Sequence, residues 1–157
     1  MNQAIQIDPD FASAYATLFE VFAWELVRSP DGDAKVREFA QRLMEIDDTL
    51  PEARNAWSWI KFLKLDWVGA EDEARRAISL DPSYATAHAY LGFYLSLQQR
   101  IDKARAQMSR ALELDPTSRI FTTLSGYPFY GARDYDRAIV QFRKALDLDA
   151  NFFFARW

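Results

Sequence analysis

The chain has 157 residues, half of them hydrophobic and 15% aromatic, which is enough to build one packed domain. Its formal charge of -4, with no cluster of basic residues, argues against a nucleic-acid or anionic-membrane surface. It has no cysteine, so disulfides, thiolate metal sites and a cysteine nucleophile are excluded, and no apolar run approaches the ~20 residues needed to span a bilayer.

The N-terminal stretch MNQAIQIDPD lacks the basic and apolar regions of a secretory signal, which points to a cytoplasmic protein. Residues 1–8 read as the end of a preceding helix, with Ala4 and Ile5 in the register of Ala111 and Leu112. The expectation is an excised piece of a longer protein with an artificial initiator Met. Residues 9–47 form a first unit, since IDPDFASAY (7–15) copies the register of LDPSYATAH (80–88). This unit is longer than the others. The extra residues are expected at Ser29-Pro30-Asp31-Gly32-Asp33, a run of turn formers between two helical patterns.

Residues 48–81, 82–115 and 116–149 follow as three units in strict register. The last two match without a gap at Pro82/Pro116, Gly92/Gly126, Asp102/Asp136, Ala104/Ala138, Ala111/Ala145 and Asp115/Asp149. A fixed period of this length marks a stacked-repeat architecture, in which each unit hides its apolar face only against its neighbours. Within the third unit Ala87, Leu91, Tyr94 and Leu95, then Ile101, Ala104, Met108 and Ala111, recur at three- and four-residue steps, predicting two helices. Gly92 and Ala104 would let those helices approach closely. Asp66 and Asp134 precede second helices, where a carboxylate accepts orphan backbone N–H groups. Asp-Pro at residues 81–82 and 115–116 separates units, because proline cannot continue the preceding helix. Pro128 lies in the middle of the helix expected at 121–130, where it costs about 3 kcal/mol. The bland expectation is a tolerated kink; the sharper one is a kink that tilts Tyr127 and Tyr130 into a groove. Residues 150–157 begin a further helix or a cap.

At these residues the chain resembles the tetratricopeptide-repeat family. Leu91-Gly92, Ala104, Ala111 and Pro116 carry its pattern in the third unit; Gly126, Ala138, Phe142 and Ala145 do so in the fourth. Trp57-Ser58, Ala70, Ala74, Ala77 and Pro82 follow it in the second. The resemblance implies an all-α, right-handed α-solenoid of antiparallel helix pairs that binds protein without catalysis, cofactor or metal. Its flavour is that of repeat segments in bacterial regulatory and signalling proteins, although no other domain of such proteins is present.

Carrying over the family's groove-facing places gives Glu20 in the first unit, Asn55, Trp59 and Phe62 in the second, Phe93 in the third, and Tyr127 and Tyr130 in the fourth. Trp59, Phe93 and Tyr127 share one place in three units, an aromatic ladder suited to an apolar or amphipathic peptide. The competing expectation is that these rings pack between units. The family's cationic carboxylate clamp is not expected, because its places hold Ala16, Glu20, Ala56, Thr86 and Tyr90. The second functional expectation is self-association into a homodimer through Phe152, Phe153, Phe154 and Trp157, set against their covering the fourth unit as a cap. His88 is expected to be a satisfied packing residue, Glu71-Asp72-Glu73 a solvated face with local ion pairs, and Asp31-Gly32-Asp33 too poor in oxygen ligands for calcium. Nucleic-acid and membrane partners are not expected.

Overall fold

The computed structural model describes residues 11–25, 30–152 and 155, and among these every element is helical. The helices are α1 (Ala12–Glu25), α2 (Pro30–Ile46), α3 (Pro51–Leu63), α4 (Trp67–Leu80), α5 (Ala85–Leu97), α6 (Ile101–Leu114), α7 (Arg119–Leu124), α8 (Tyr127–Gly131) and α9 (Tyr135–Leu148). The chain divides into two compact units, Met1–Leu80 and Asp81–Trp157. In the first, α1 packs on α2 and α3 on α4; in the second, α5 packs on α6, while α7 and α8 together pack on α9.

The turn inside each helix pair is built the same way in three repeats. Leu65, Gln99 and Arg133 follow the caps of α3, α5 and α8 and have φ of 62°, 60° and 61°. Their N–H groups donate to the carbonyls of Phe62 (2.9 Å), Ser96 (3.1 Å) and Tyr130 (3.0 Å). The next N–H groups, of Asp66, Arg100 and Asp134, donate back to Lys61 (3.0 Å), Leu95 (2.9 Å) and Phe129 (2.9 Å). Such paired bonds satisfy the last carbonyls of a helix and reverse the chain, and they require a left-handed residue between them. No glycine occupies that place in any of the three, so each turn carries backbone strain.

The turn between helix pairs is also repeated. Oδ1 of Asp47, Asp81, Asp115 and Asp149 accepts the backbone N–H of Thr49 (2.8 Å), Ser83 (2.8 Å), Thr117 (3.0 Å) and Asn151 (3.0 Å). The first three also accept the hydroxyl of the same residue, at 2.6, 2.6 and 2.9 Å. Asp48 stands where Pro82 and Pro116 stand, and the turn forms regardless, so the aspartate rather than the proline sets its geometry. The hydroxyl of Thr49 first, then its backbone N–H, holds the Asp47 carboxyl below the usual carboxylate range; Ser83 does the same for Asp81.

Second helices start as the sequence predicts at two sites. Asp66 accepts from the N–H of Gly69 at 2.9 Å, and Asp134 from that of Arg137 at 3.3 Å. Gly92 allows the close approach of α5 and α6: a Cβ there would sit 3.0 Å from Met108 Cε and 3.2 Å from the Ala104 carbonyl oxygen. The alanines of the repeat pattern, from Ala70, Ala74 and Ala77 to Ala138 and Ala145, are all buried.

Two expectations change. Residues 30–33 do not form a loop; Pro30 opens α2, where a first-turn proline loses no hydrogen bond, and the added length makes α2 a helix of 17 residues against 14 for α4. Glu73 is not part of a solvated face. It is buried, and its carboxylate meets Arg76 at 3.2 Å and Arg54 at 3.4 Å, while Arg54 also reaches Asp48 at 2.7 Å. Glu71 pairs with Arg75 at 2.7 Å, as a local helical pair would.

Leu65→Gly should raise the stability of the chain by about 0.5 kcal/mol, the left-handed strain of about 1 kcal/mol being partly offset by the extra freedom of the unfolded glycine. The side chain is 69% exposed, so little packing is lost, and denaturant titration reads the change directly. Acid should weaken the fold through Asp47 and Asp81. A lowered folded pKa contributes stability above the unfolded carboxylate value, near ~3.9, which is lost as pH falls through the folded value. Asp81→Asn, which keeps the acceptor oxygen but cannot titrate, should flatten the acid limb of the unfolding midpoint plotted against pH.

Candidate functional site

The fourth repeat departs from the pattern at Pro128, and the departure builds a cleft. A proline lacks the N–H that would bond the carbonyl of Leu124, and its ring crowds that carbonyl. The helix expected at 121–130 is therefore two helices: α7 stops at Leu124, Ser125 and Gly126 turn, and α8 restarts with Pro128 in its first turn. Ser125 and Gly126 keep right-handed helical backbone angles, so the chain kinks here as expected from the sequence. Gly126 permits it, because a Cβ there would lie 2.7 Å from Phe142 Cζ, inside the ring's contact distance. Helix α8 packs on α5, α6 and α9, with the Arg105 guanidinium over the Phe129 ring at 4.7 Å.

Placed this way, Tyr127 and Tyr130 join Ser96, Leu97, Gln99, Gly131, Arg133 and Tyr135 around a cleft of about 350 Å³ in the second unit. Tyr130 is 59% exposed and Tyr135 53%, with their rings 5.7 Å apart in an edge arrangement. Tyr127 lies deeper, edge-on to Phe93 at 5.1 Å and to Phe142 at 6.0 Å. Burial raises the pKa of its hydroxyl above the ordinary tyrosine value, and Tyr130 adds a smaller push the same way, so Tyr127 remains a neutral donor. Two of the three strained turn residues, Gln99 and Arg133, line this same cleft.

The other groove places are distributed differently from the ladder the sequence suggests. Trp59 and Phe62 belong to the first unit, where their rings stack at 5.1 Å and Phe62 meets Trp67 edge-on at 5.4 Å. Trp59 and Phe93 are both buried, at 4% and 8% exposure. Asn55 is fully buried rather than groove-facing, with neither amide atom hydrogen-bonded, and Glu20 is half-buried. Helices α3 and α5 are buried around most of their circumference; α5 is apolar on nearly every side, the pattern of an interior helix. Little of either is left for a groove.

His88 is buried and satisfied, as expected. Its Nε2 lies 3.1 Å from the Pro82 carbonyl, which can only accept, and Nδ1 lies 2.7 Å from Gln107. At the end of the chain Phe152 is 9% exposed, packed with Ala155, Ala145, Ile120 and Leu146 under the Arg119 guanidinium at 5.1 Å. It covers the fourth repeat. Phe153, Phe154 and Trp157 lie outside the described residues. Among the described residues no group of three His, Asp or Glu could hold a metal ion, and no helix is long and apolar enough to cross a membrane.

Sequence reasoning missed Gln99, Arg133 and Tyr135. The signal available for the first two was the absence of glycine at a turn that recurs with the repeat; for Tyr135 there was none beyond its neighbourhood to Asp134.

Gly126→Ala should lower stability by about 1 to 3 kcal/mol, since the new methyl must displace the Phe142 ring, and should disturb the Tyr127 contact that ring supports. Thermal unfolding and the near-ultraviolet tyrosine signal would report the two effects separately.

Residues 85–118 match the family model described as tetratricopeptide repeat. No curated protein matches the sequence. Among solved structures, a crystal structure of MamA is 22% identical with a TM-score of 0.57 over 95% of this chain and 84% of MamA. A second MamA crystal structure gives the same identity and TM-score over 95% and 79%. The tetratricopeptide domain of Arabidopsis OM64 is 19% identical with a TM-score of 0.62, covering 68% of this chain and 88% of that domain. Residues 85–118 thus carry a tetratricopeptide repeat, and the chain as a whole shares the helical-repeat fold of these neighbours.

Proposed function

We propose that the chain is a protein-interaction module that holds a peptide segment of a partner and carries out no catalysis. The observation that supports this reading is the cleft of the second unit: a concavity of about 350 Å³ with two tyrosines more than half exposed beside a third. Tyrosine brings large contact area at low rotamer cost and a hydroxyl that can bond a peptide carbonyl, which is why it dominates peptide-binding surfaces. The seat differs from the ladder implied by the family's groove places. Trp59 and Phe93 serve the packing of their own units, and the contact falls to Tyr127, Tyr130 and Tyr135.

Selection of a random peptide library on the full chain tests the reading. Selected peptides should bind the parent protein and lose about tenfold or more in affinity with Tyr130→Ala, while circular dichroism stays helical. A library that yields no binder, or peptides that bind the folded Tyr130→Ala variant as well as the parent, would contradict it.

A further inference from the structure

The cleft contains a cation without a counterion. Arg133 is exposed, sits in the left-handed turn at φ 61° and lines the cleft, and among the described residues its guanidinium has neither an ion-pair nor a hydrogen-bond partner. Its neighbours along the chain are engaged otherwise: Asp134 caps α9 and pairs with Arg137 at 3.4 Å. Among the described residues that line the cleft, Arg133 is the one with a charge.

The remaining polar groups of the lining have the same character. The hydroxyls of Tyr127, Tyr130 and Tyr135 and the amide of Gln99 surround the same space, and none of them has a hydrogen-bond partner among the described residues. Tyrosine hydroxyls and an arginine fork together present donors, and donors converging on an empty concavity suit an anion. The wider charge points the same way. Asp81–Trp157 contains ten Lys and Arg against eight Asp and Glu, a formal +2, in a protein whose total is -4. The cleft thus lies in the cationic part of an acidic chain.

Strain adds to the argument. Gln99 and Arg133 hold long polar side chains at places where glycine would relieve the backbone, and both side chains belong to the cleft. At Leu65, the matching place in the first unit, the residue is apolar. Retention of non-glycine residues in unfavourable backbone conformations is characteristic of positions where the side chain is needed.

We infer that the partner segment is acidic: a stretch of a different protein that places an Asp or Glu carboxylate against the Arg133 guanidinium, with an adjacent apolar or aromatic side chain on the rings of Tyr130 and Tyr135. This rests on the peptide-binding reading and narrows it to one class of partner. The carboxylate accepts a bidentate pair from Arg133, and the tyrosine and Gln99 donors hold the neighbouring peptide oxygens.

The test is the composition of the peptides selected from the random library, all with capped ends so that no terminal carboxylate takes part. Parent protein should enrich sequences with Asp or Glu next to an apolar residue, and their binding should weaken with added salt. Arg133→Gln should reduce affinity about tenfold or more, while Arg137→Gln, which alters charge equally but lies outside the cleft lining, should leave it within about twofold. Enrichment of neutral or basic sequences would overturn the acidic assignment and leave the peptide-binding reading standing. Acidic binders unaffected by Arg133→Gln would do likewise. A library with no binders would sink both. Light scattering on the parent and Arg133→Gln proteins excludes the other occupant: a dimer that dissociates with the substitution would mean that a second copy, not a partner, supplies the carboxylate.

Discussion

The left-handed turn inside the last three helix pairs is the constraint on which the rest depends. At Leu65, Gln99 and Arg133 the chain reverses within a few residues, with two backbone bonds closing the helix. Because the reversal is tight, the second helix returns along the first, and their closest approach requires a small residue on one side. Gly92 opposite Met108 and the carbonyl of Ala104 shows how little room remains. Alanines along α4, α6 and α9 are the complementary half of that contact. The aspartate turns at 47, 81, 115 and 149 then hand the chain on to the next pair without needing the proline that often accompanies them.

This regularity makes the fourth repeat informative. Everything there keeps the register, including the turn at Arg133 and the cap at Asp134, except the first helix. Pro128 divides that helix, Gly126 makes room for the division against Phe142, and the separate α8 carries two tyrosines to the edge of a space bounded by the preceding turn at Gln99. A rule broken at one place in an otherwise consistent pattern is where function is expected, since the cost must be recovered by something other than the fold. Arg105 over Phe129 and the packing of Tyr127 between Phe93 and Phe142 hold the broken piece in place.

The sequence displays the helix pairs plainly because their determinants are local and recur: alanine spacing, the aspartate before two of the second helices, the glycine at two of the crossings. It displays the Pro128 defect too, as the kink that proline imposes on the first helix of the fourth repeat. The groove is less legible. Family places name Trp59, Phe93 and Asn55 as surface, but exposure is decided by how many helices surround α3 and α5, which no single position records. Glu73 illustrates the same point, reading as one of three exposed acids and lying buried between two arginines from separate helices. Gln99 and Arg133 stand in the turn and look like linkers; only the three-dimensional adjacency of two successive turns makes them one site.

Chemical-shift mapping on the isotope-labelled chain, titrated with a selected peptide, tests the central claim most directly, because it reports where the partner sits without altering any residue. The account predicts that the largest changes fall on Gln99, Tyr127, Tyr130, Arg133 and Tyr135, with the Arg133 guanidinium signal among them. Changes centred instead on Trp59 and Phe62 of the first unit, with the cleft unmoved, would contradict it.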